Sequence, residues 1–213
     1  SCFPEAMLLC YEDNQDITKE LLENFMWADA IGIGPGIGLQ EQAEKLLDTV
    51  LSHGEKPLVI DADAIGMLKG REEQLKNYPN EVILTPHLGE FSRLTGISIE
   101  EWKENPIKIT QKIAKTLSVV LVCKDARTVI SKENERVYLN LSGNDGMASA
   151  GSGDVLTGII LSFLAQGKEA QEAAGLGVYL HGAAGDLAAQ RKGRAAMLAG
   201  DLIEAAGQIL DAI

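Results

Sequence analysis

Asn140 to Gly167 reads NLSGNDGMASAGSGDVLTGIILSFLAQG, and this stretch decides the fold. It opens as a polar loop containing Gly143, Gly146, Gly151 and Gly153. At Asp154 it passes into a mostly apolar run, Val155 to Leu164, closed by Gly167. The length of that run and its terminal glycine predict a buried helix. Gly151-Ser152-Gly153 then falls where the first backbone N–H groups of a helix lack partners and point outward. Such a terminus carries roughly half a positive charge and attracts phosphate. Glycines there allow a ligand to approach the backbone because no Cβ intervenes. Asp154 beside that cradle is a poor choice as a simple cap, since its charge repels phosphate. It suits a base that takes a proton from a hydroxyl about to attack the phosphate. The plainer alternative is a loop with an Asp N-cap.

Composition narrows the classes around this loop. The chain has 213 residues, long enough for one domain, and 46% of them are apolar, enough to fill a core. The net charge is −12 and the 19 basic residues form no long run, which disfavours nucleic acid or an anionic membrane as partner. Three cysteines, Cys2, Cys10 and Cys123, are odd in number and lack CxxC spacing. A disulfide framework or zinc site is therefore not expected, and a cytoplasmic setting is. No apolar run reaches about 18 residues, and no signal-peptide pattern is present.

Along the chain, strand patterns alternate with helical ones. Ala6–Tyr11 is strand-like, and Asp16–Phe25 has helical spacing. Ala28–Gly32 is a short apolar strand running into Gly32-Ile33-Gly34-Pro35-Gly36-Ile37-Gly38 and a helix over Gln40–Ser52. A dinucleotide fingerprint needs glycines at i, i+2 and i+5, and no start in this loop provides them. Pro57–Ile60 is fully apolar, as in buried parallel strands, and ends in Asp61-Ala62-Asp63 before a short helix. Asp61 reads equally well as that helix's cap. Glu81–Leu84 ends in TPHLGE, where His87 is by itself a satisfied strand-end histidine and Glu90 a first-turn residue favoured by the dipole. Ser98–Thr116 opens with the Ser98/Glu101 capping box, and Pro106 predicts a break. Ser118–Cys123 is the next buried strand. Lys124 at its end is either a phosphate donor or a snorkelling surface lysine. Thr128–Ser131 and Arg136–Leu141 predict a β-hairpin delivering the chain to the central loop. Two helices follow, Glu169–Ala189 and Gly200–Ile213, rich in small residues that suit close packing on the sheet or on another subunit. His181 and Asp186, five apart, do not share a helix face, and both read as structural. The whole predicts an α/β fold with a mostly parallel central sheet flanked by helices on both faces.

Gly151-Ser152-Gly153-Asp154 resembles the GxGD motif of the ribokinase-like superfamily, with its anion hole and catalytic aspartate. The longer NDGMASAGSGDVLTGII is similar to the signature of the ADP- or ATP-dependent NAD(P)H-hydrate dehydratases, the YjeF C-terminal domain family. The resemblance implies Asp154 as catalytic base and Gly151, Ser152 and Gly153 as anion hole. It sets the hydrated nicotinamide nucleotide against Gly34, Gly36, Asp63, His87 and Asp154. It sets the adenine nucleotide against Lys124, Asp125, Ala126, Arg127, Thr128, Asn144, Gly146, Met147 and Gly153. It links Glu90, through water, to Mg²⁺. Departures are Gly66 where relatives have Asn, Leu88 in place of a second proline, and Asp125 in place of a common glycine. The family carries an earlier glycine-rich strand–loop–helix unit that nothing in this chain matches, so residues 1–213 are expected to form one ribokinase-like domain lacking that unit.

The activity so implied is repair of NADHX and NADPHX at the expense of ADP or ATP with Mg²⁺. Phosphorylation turns the ring hydroxyl into a phosphate that departs as the double bond is restored. A homo-oligomer, tetrameric or larger, and an epimerase domain or protein as partner are further expectations. A vitamin-precursor kinase of the same fold and a non-catalytic nucleotide-binding subunit are the competing readings.

Overall fold

The computed structural model describes residues 6–11 and 15–212. Cys2 lies outside the described residues. Six strands form one sheet in the order β1 (Ile31–Ile33), β2 (Leu58–Ile60), β3 (Val82–Leu84), β4 (Val120–Cys123), β5 (Val129–Ser131) and β6 (Tyr138–Leu139). The first four run parallel, and β5 and β6 turn back antiparallel as the expected hairpin. The strands pair in chain order, so β1 to β4 all end at one edge of the sheet. Gly34, Asp61, Thr85 and Lys124 follow those four ends directly.

Strand pleating divides the core. Leu58, Ile60, Val82, Leu84, Leu121 and Cys123 face a layer built from α2 (Glu41–His53), α3 (Ala62–Gly66), α5 (Leu88–Thr95), α6 (Ile99–Glu104) and α7 (Pro106–Leu117). The intervening Val59, Ile83, Val120 and Val122 face α8 (Ser152–Ala165) and α9 (Ala170–Lys192) through Leu156, Ile160 and Val178. Alternation of this kind on strands apolar at every position is what covering both faces of a parallel sheet requires. A third cluster joins α9 to α10 (Ala199–Leu210) through Ala184, Ala188, Leu202 and Ala205. α1 (Thr18–Trp27) and α4 (Glu72–Lys76) complete the helices.

Local expectations are met where a breaker or cap dictates the backbone. The helix break falls at Asn105, with Pro106 as first residue of α7, and Ser98 Oγ accepts from the Glu101 amide at 3.1 Å, the N-cap half of the expected capping box without the return bond from Glu101. Residues 6–11 depart from the expected strand: they form no regular element, and Met7 and Leu8 are exposed. An apolar segment becomes a strand only where a neighbour pairs its N–H and C=O groups, and the sheet of the described residues ends at β1. The close packing expected of the last helices falls inside the chain. A Cβ on Gly177 would come within 2.5 Å of Ile160 Cγ1, so α9 lies directly on α8.

Candidate active site

α8 begins as its sequence predicts. Gly151 is its N-cap in a left-handed conformation, φ +84°, which a glycine accepts without strain. The Ser152 amide is bonded back to Ser149 O and the Val155 amide to Gly151 O. Among the described residues the N–H groups of Gly153 and Asp154 meet no acceptor. Those two donors, at the positive end of a 14-residue helix, form a ready anion site. The Asp154 side chain is exposed and has no hydrogen bond or ion pair among the described residues.

Beneath this terminus lies a buried ion pair. Asp61 is 1% exposed; its Oδ1 accepts from Lys124 Nζ at 2.8 Å and its Oδ2 from Thr157 Oγ1 at 2.6 Å. The carboxylate makes no cap contact with α3, so of the two readings open for Asp61 the capping one is not what the fold uses. The reason is that both its oxygens are already taken by side chains from β4's end and from α8. A Cβ on Gly153 would lie 3.5 Å from Lys124 Nζ, so the ammonium sits against the cradle instead of snorkelling to solvent.

The other strand ends converge on the same edge. Gly34, at φ +130°, lies so close to β2 that a Cβ would fall 1.7 Å from Asp61 O, which only glycine permits. Asp63 Oδ2 accepts from the Gly38 amide at 2.9 Å, tying the glycine loop to α3, while Gly36 has open space around it. His87 bridges to Lys124 through the Lys124 amide donating to Pro86 O at 2.8 Å. Its ring caps α5: Nδ1 accepts from the amides of Gly89 and Glu90, so the ring proton is on Nε2, 3.2 Å from Glu90 Oε1. Glu90 Oε2 accepts from the His87 amide at 2.9 Å, completing a capping box. Glu90 thus stands as a first-turn helix residue with both oxygens engaged. Asp125, Ala126 and Arg127 project into solvent from the β4–β5 turn, where Thr128 Oγ1 donates to Asp125 O at 3.4 Å. Asn144 accepts from the Gly146 amide at 3.1 Å and so starts the short 3₁₀ turn Asp145–Met147. Gly146 abuts the Arg194 backbone, and Arg194 pairs with Asp145.

Thr157 and Arg194, which the sequence reading did not single out, and His181 and Asp186, which it reads as structural, also border this cluster. Asp186 accepts from the Gly143 amide at 2.9 Å and from Asn144 Nδ2 at 3.0 Å. His181 Nε2 lies 2.9 Å from Ser152 O. Burial pushes the His181 imidazole down to about 4; nearby Lys124 acts the same way, against the bond to Ser152 O. Its folded value is thus below the unfolded one near 6.5, so the unfolded chain binds more protons between those values. The stability involved is fully present above about pH 6.5 and is lost as pH falls toward 4, up to about 3 kcal/mol. Thermal melting should therefore show a lower midpoint at about pH 5 than at about pH 7, and His181→Gln should flatten that dependence. An unchanged slope in the variant would assign the acid loss to other groups.

No group of three or more His, Cys, Asp or Glu among the described residues could hold a metal ion. No helix among them is long and apolar enough to cross a membrane. A cavity of about 310 Å³ is lined by Tyr138, Leu139, Gln171 and Tyr179, none of which belongs to the strand-end cluster.

A family model described as NAD(P)H-hydrate dehydratase matches residues 2–208. A bifunctional NAD(P)H-hydrate repair enzyme of Moorella thermoacetica is 43% identical over 90% of this chain, which spans 36% of that protein's length. Among solved structures, a ribokinase-like superfamily protein of Enterococcus faecalis matches 99% of this chain and 71% of its own, at 33% identity and TM-score 0.85. An ADP/ATP-dependent NAD(P)H-hydrate dehydratase of Bacillus subtilis, co-crystallised with ATP and Mg²⁺, matches 90% of this chain and 69% of its own, at 32% identity and TM-score 0.77. The fold is ribokinase-like. With the family model covering nearly all of the sequence, the chain belongs to the NAD(P)H-hydrate dehydratase family.

Proposed function

We infer that this chain dehydrates NADHX and NADPHX at the expense of ADP or ATP. The observation that carries the reading is the start of α8, where the Lys124 ammonium lies against Gly153 and where, among the described residues, the Gly153 and Asp154 amides and the adjacent Asp154 carboxylate have no partner. Gly151–Gly153 and Lys124 receive the phosphoryl group of the nucleotide. Asp154 takes the proton of the ring hydroxyl as that oxygen bonds to phosphorus and the bond to the leaving nucleotide breaks. The ring C–O bond then breaks, inorganic phosphate departs, and the adjacent ring carbon releases a proton to solvent as the double bond re-forms. The products are NADH or NADPH, phosphate, the shortened nucleotide and a proton.

The adenine nucleotide is assigned to Lys124–Thr128, Asn144, Gly146, Met147 and Gly153. The hydrated ring and its ribose are assigned to Gly34, Gly36, Asp63 and the exposed edge of His87. Mg²⁺ suits this donor set as a companion of the nucleotide, because it is usually held by phosphates, waters and one or two carboxylates. When bound it neutralises charge on the phosphates. Glu90 would reach it only through water, since its carboxylate is held by His87. Exposed Leu141 and Tyr179 favour assembly into a homo-oligomer, tetrameric or larger. The bifunctional relatives support an epimerase domain or protein as partner, and the odd number of cysteines without CxxC spacing supports a cytoplasmic setting.

Incubation with hydrated NADH, ADP or ATP and Mg²⁺ tests the reading. Absorbance of the reduced ring should return in step with free phosphate. A stable phosphorylated product without ring recovery would instead identify a kinase, and no turnover would remove the enzyme reading.

A further inference from the structure

His181 has no part in the phosphoryl chemistry above, yet it touches the peptide unit that carries one of the cradle's two free amides. Ser152 O and the Gly153 N–H belong to the same planar trans peptide and point in opposite directions. Fixing the carbonyl therefore aims the amide. His181 Nε2 lies 2.9 Å from Ser152 O and 3.3 Å from Ser152 Oγ. A carbonyl oxygen can only accept, so Nε2 carries the ring proton and donates. Gly153 has no side chain with which to hold this peptide by itself.

The helix bearing His181 is shaped to bring it there. A Cβ on Gly182 would fall 2.2 Å from Ser142 Oγ, and one on Gly185 would fall 2.2 Å from Met147 Sδ. The loop thus rests on the backbone of α9 between His181 and Asp186. Asp186 fixes the earlier part of the loop by its bonds to Gly143 and Asn144. Burial keeps the imidazole neutral, which suits a ring near the Lys124 ammonium.

We propose that His181 is a positioning residue: it grips the Ser152 carbonyl and so aims the Gly153 amide at the phosphate. The proposal rests on the reading of the α8 terminus as a phosphate site. ADP binding to the intact protein, measured by calorimetry, tests it with three variants. His181→Leu removes the donor and should weaken ADP binding about 10–100-fold, the scale of a hydrogen bond to a charged group. His181→Gln, which keeps an N–H donor on a side chain of similar reach, should recover most of that loss. Val178→Ala, in the core cluster of the same helix, should lower the melting temperature and leave ADP affinity unchanged. His181→Leu binding ADP as tightly as the wild type overturns the proposal, as does an equal loss in Val178→Ala. Turnover of hydrated NADH by the wild type is followed in the same preparations. Its absence would overturn the dehydratase reading while the affinity comparison still decides the role of His181.

Discussion

Asp154→Asn is expected to lower turnover of hydrated NADH about 10²–10⁴-fold, the range a positioned general base supplies. At about 1.4 kcal/mol per factor of ten, this corresponds to roughly 3–5 kcal/mol of lost transition-state stabilisation. The substitution is nearly isosteric, and the side chain it replaces has no partner among the described residues. Stability should therefore stay within about 0.5 kcal/mol of the wild type, as for surface changes away from special features. Nucleotide affinity should hold or rise slightly, because a negative charge beside the phosphate site is removed. Single-turnover absorbance together with ADP calorimetry separates these effects. Near-normal dehydration by the variant would show that the hydroxyl loses its proton elsewhere, and the assignment of Asp154 would fall. A parallel loss of ADP binding would instead make the residue a binding group.

The parts of this site that were legible in the sequence are those whose physics is local. The clearest cases are Leu58–Ile60, Val82–Leu84 and Val120–Cys123, which are apolar at every position, as a strand covered on both faces must be. Pro106 forbids a continuous helix by its own chemistry, and Gly151 and Gly153 announce a helix terminus open to an anion. The Ala6–Tyr11 run misled because strand formation depends on a neighbour, which no property of the run itself records. Asp61 stayed open between a cap and a ligand-edge carboxylate for a related reason. Its position before a short helix suggested a cap, but its partners are 63 and 96 residues away in sequence. His181 and Asp186 read as structural in sequence because they do not share a helix face, and the spacing alone gives no hint of what they hold. They need not share one, since they hold two different segments of one loop. The available signal was the glycines at 177, 182 and 185, where Ile160, Ser142 and Met147 come against α9.

Lys124→Met is the second large effect, and it should appear first in stability. Asp61 is fully buried, and the substitution leaves its carboxylate with Thr157 Oγ1 as its remaining side-chain donor. Removing one partner of a buried pair typically costs about 3–5 kcal/mol, because the other charge stays desolvated and uncompensated. For a domain of this size that is a fall in melting temperature of roughly 10 °C. The same side chain lies against Gly153, so ADP affinity should fall as well. Adding Asp61→Asn to Lys124→Met removes the stranded charge, and the double variant should regain much of the stability. It should not regain nucleotide affinity, because no ammonium returns to the cradle. This split separates the two duties of Lys124. If the single variant melts with the wild type, the Asp61 carboxylate is not held by Lys124. If the double variant restores binding along with stability, the ammonium serves the fold and makes no contact with the nucleotide.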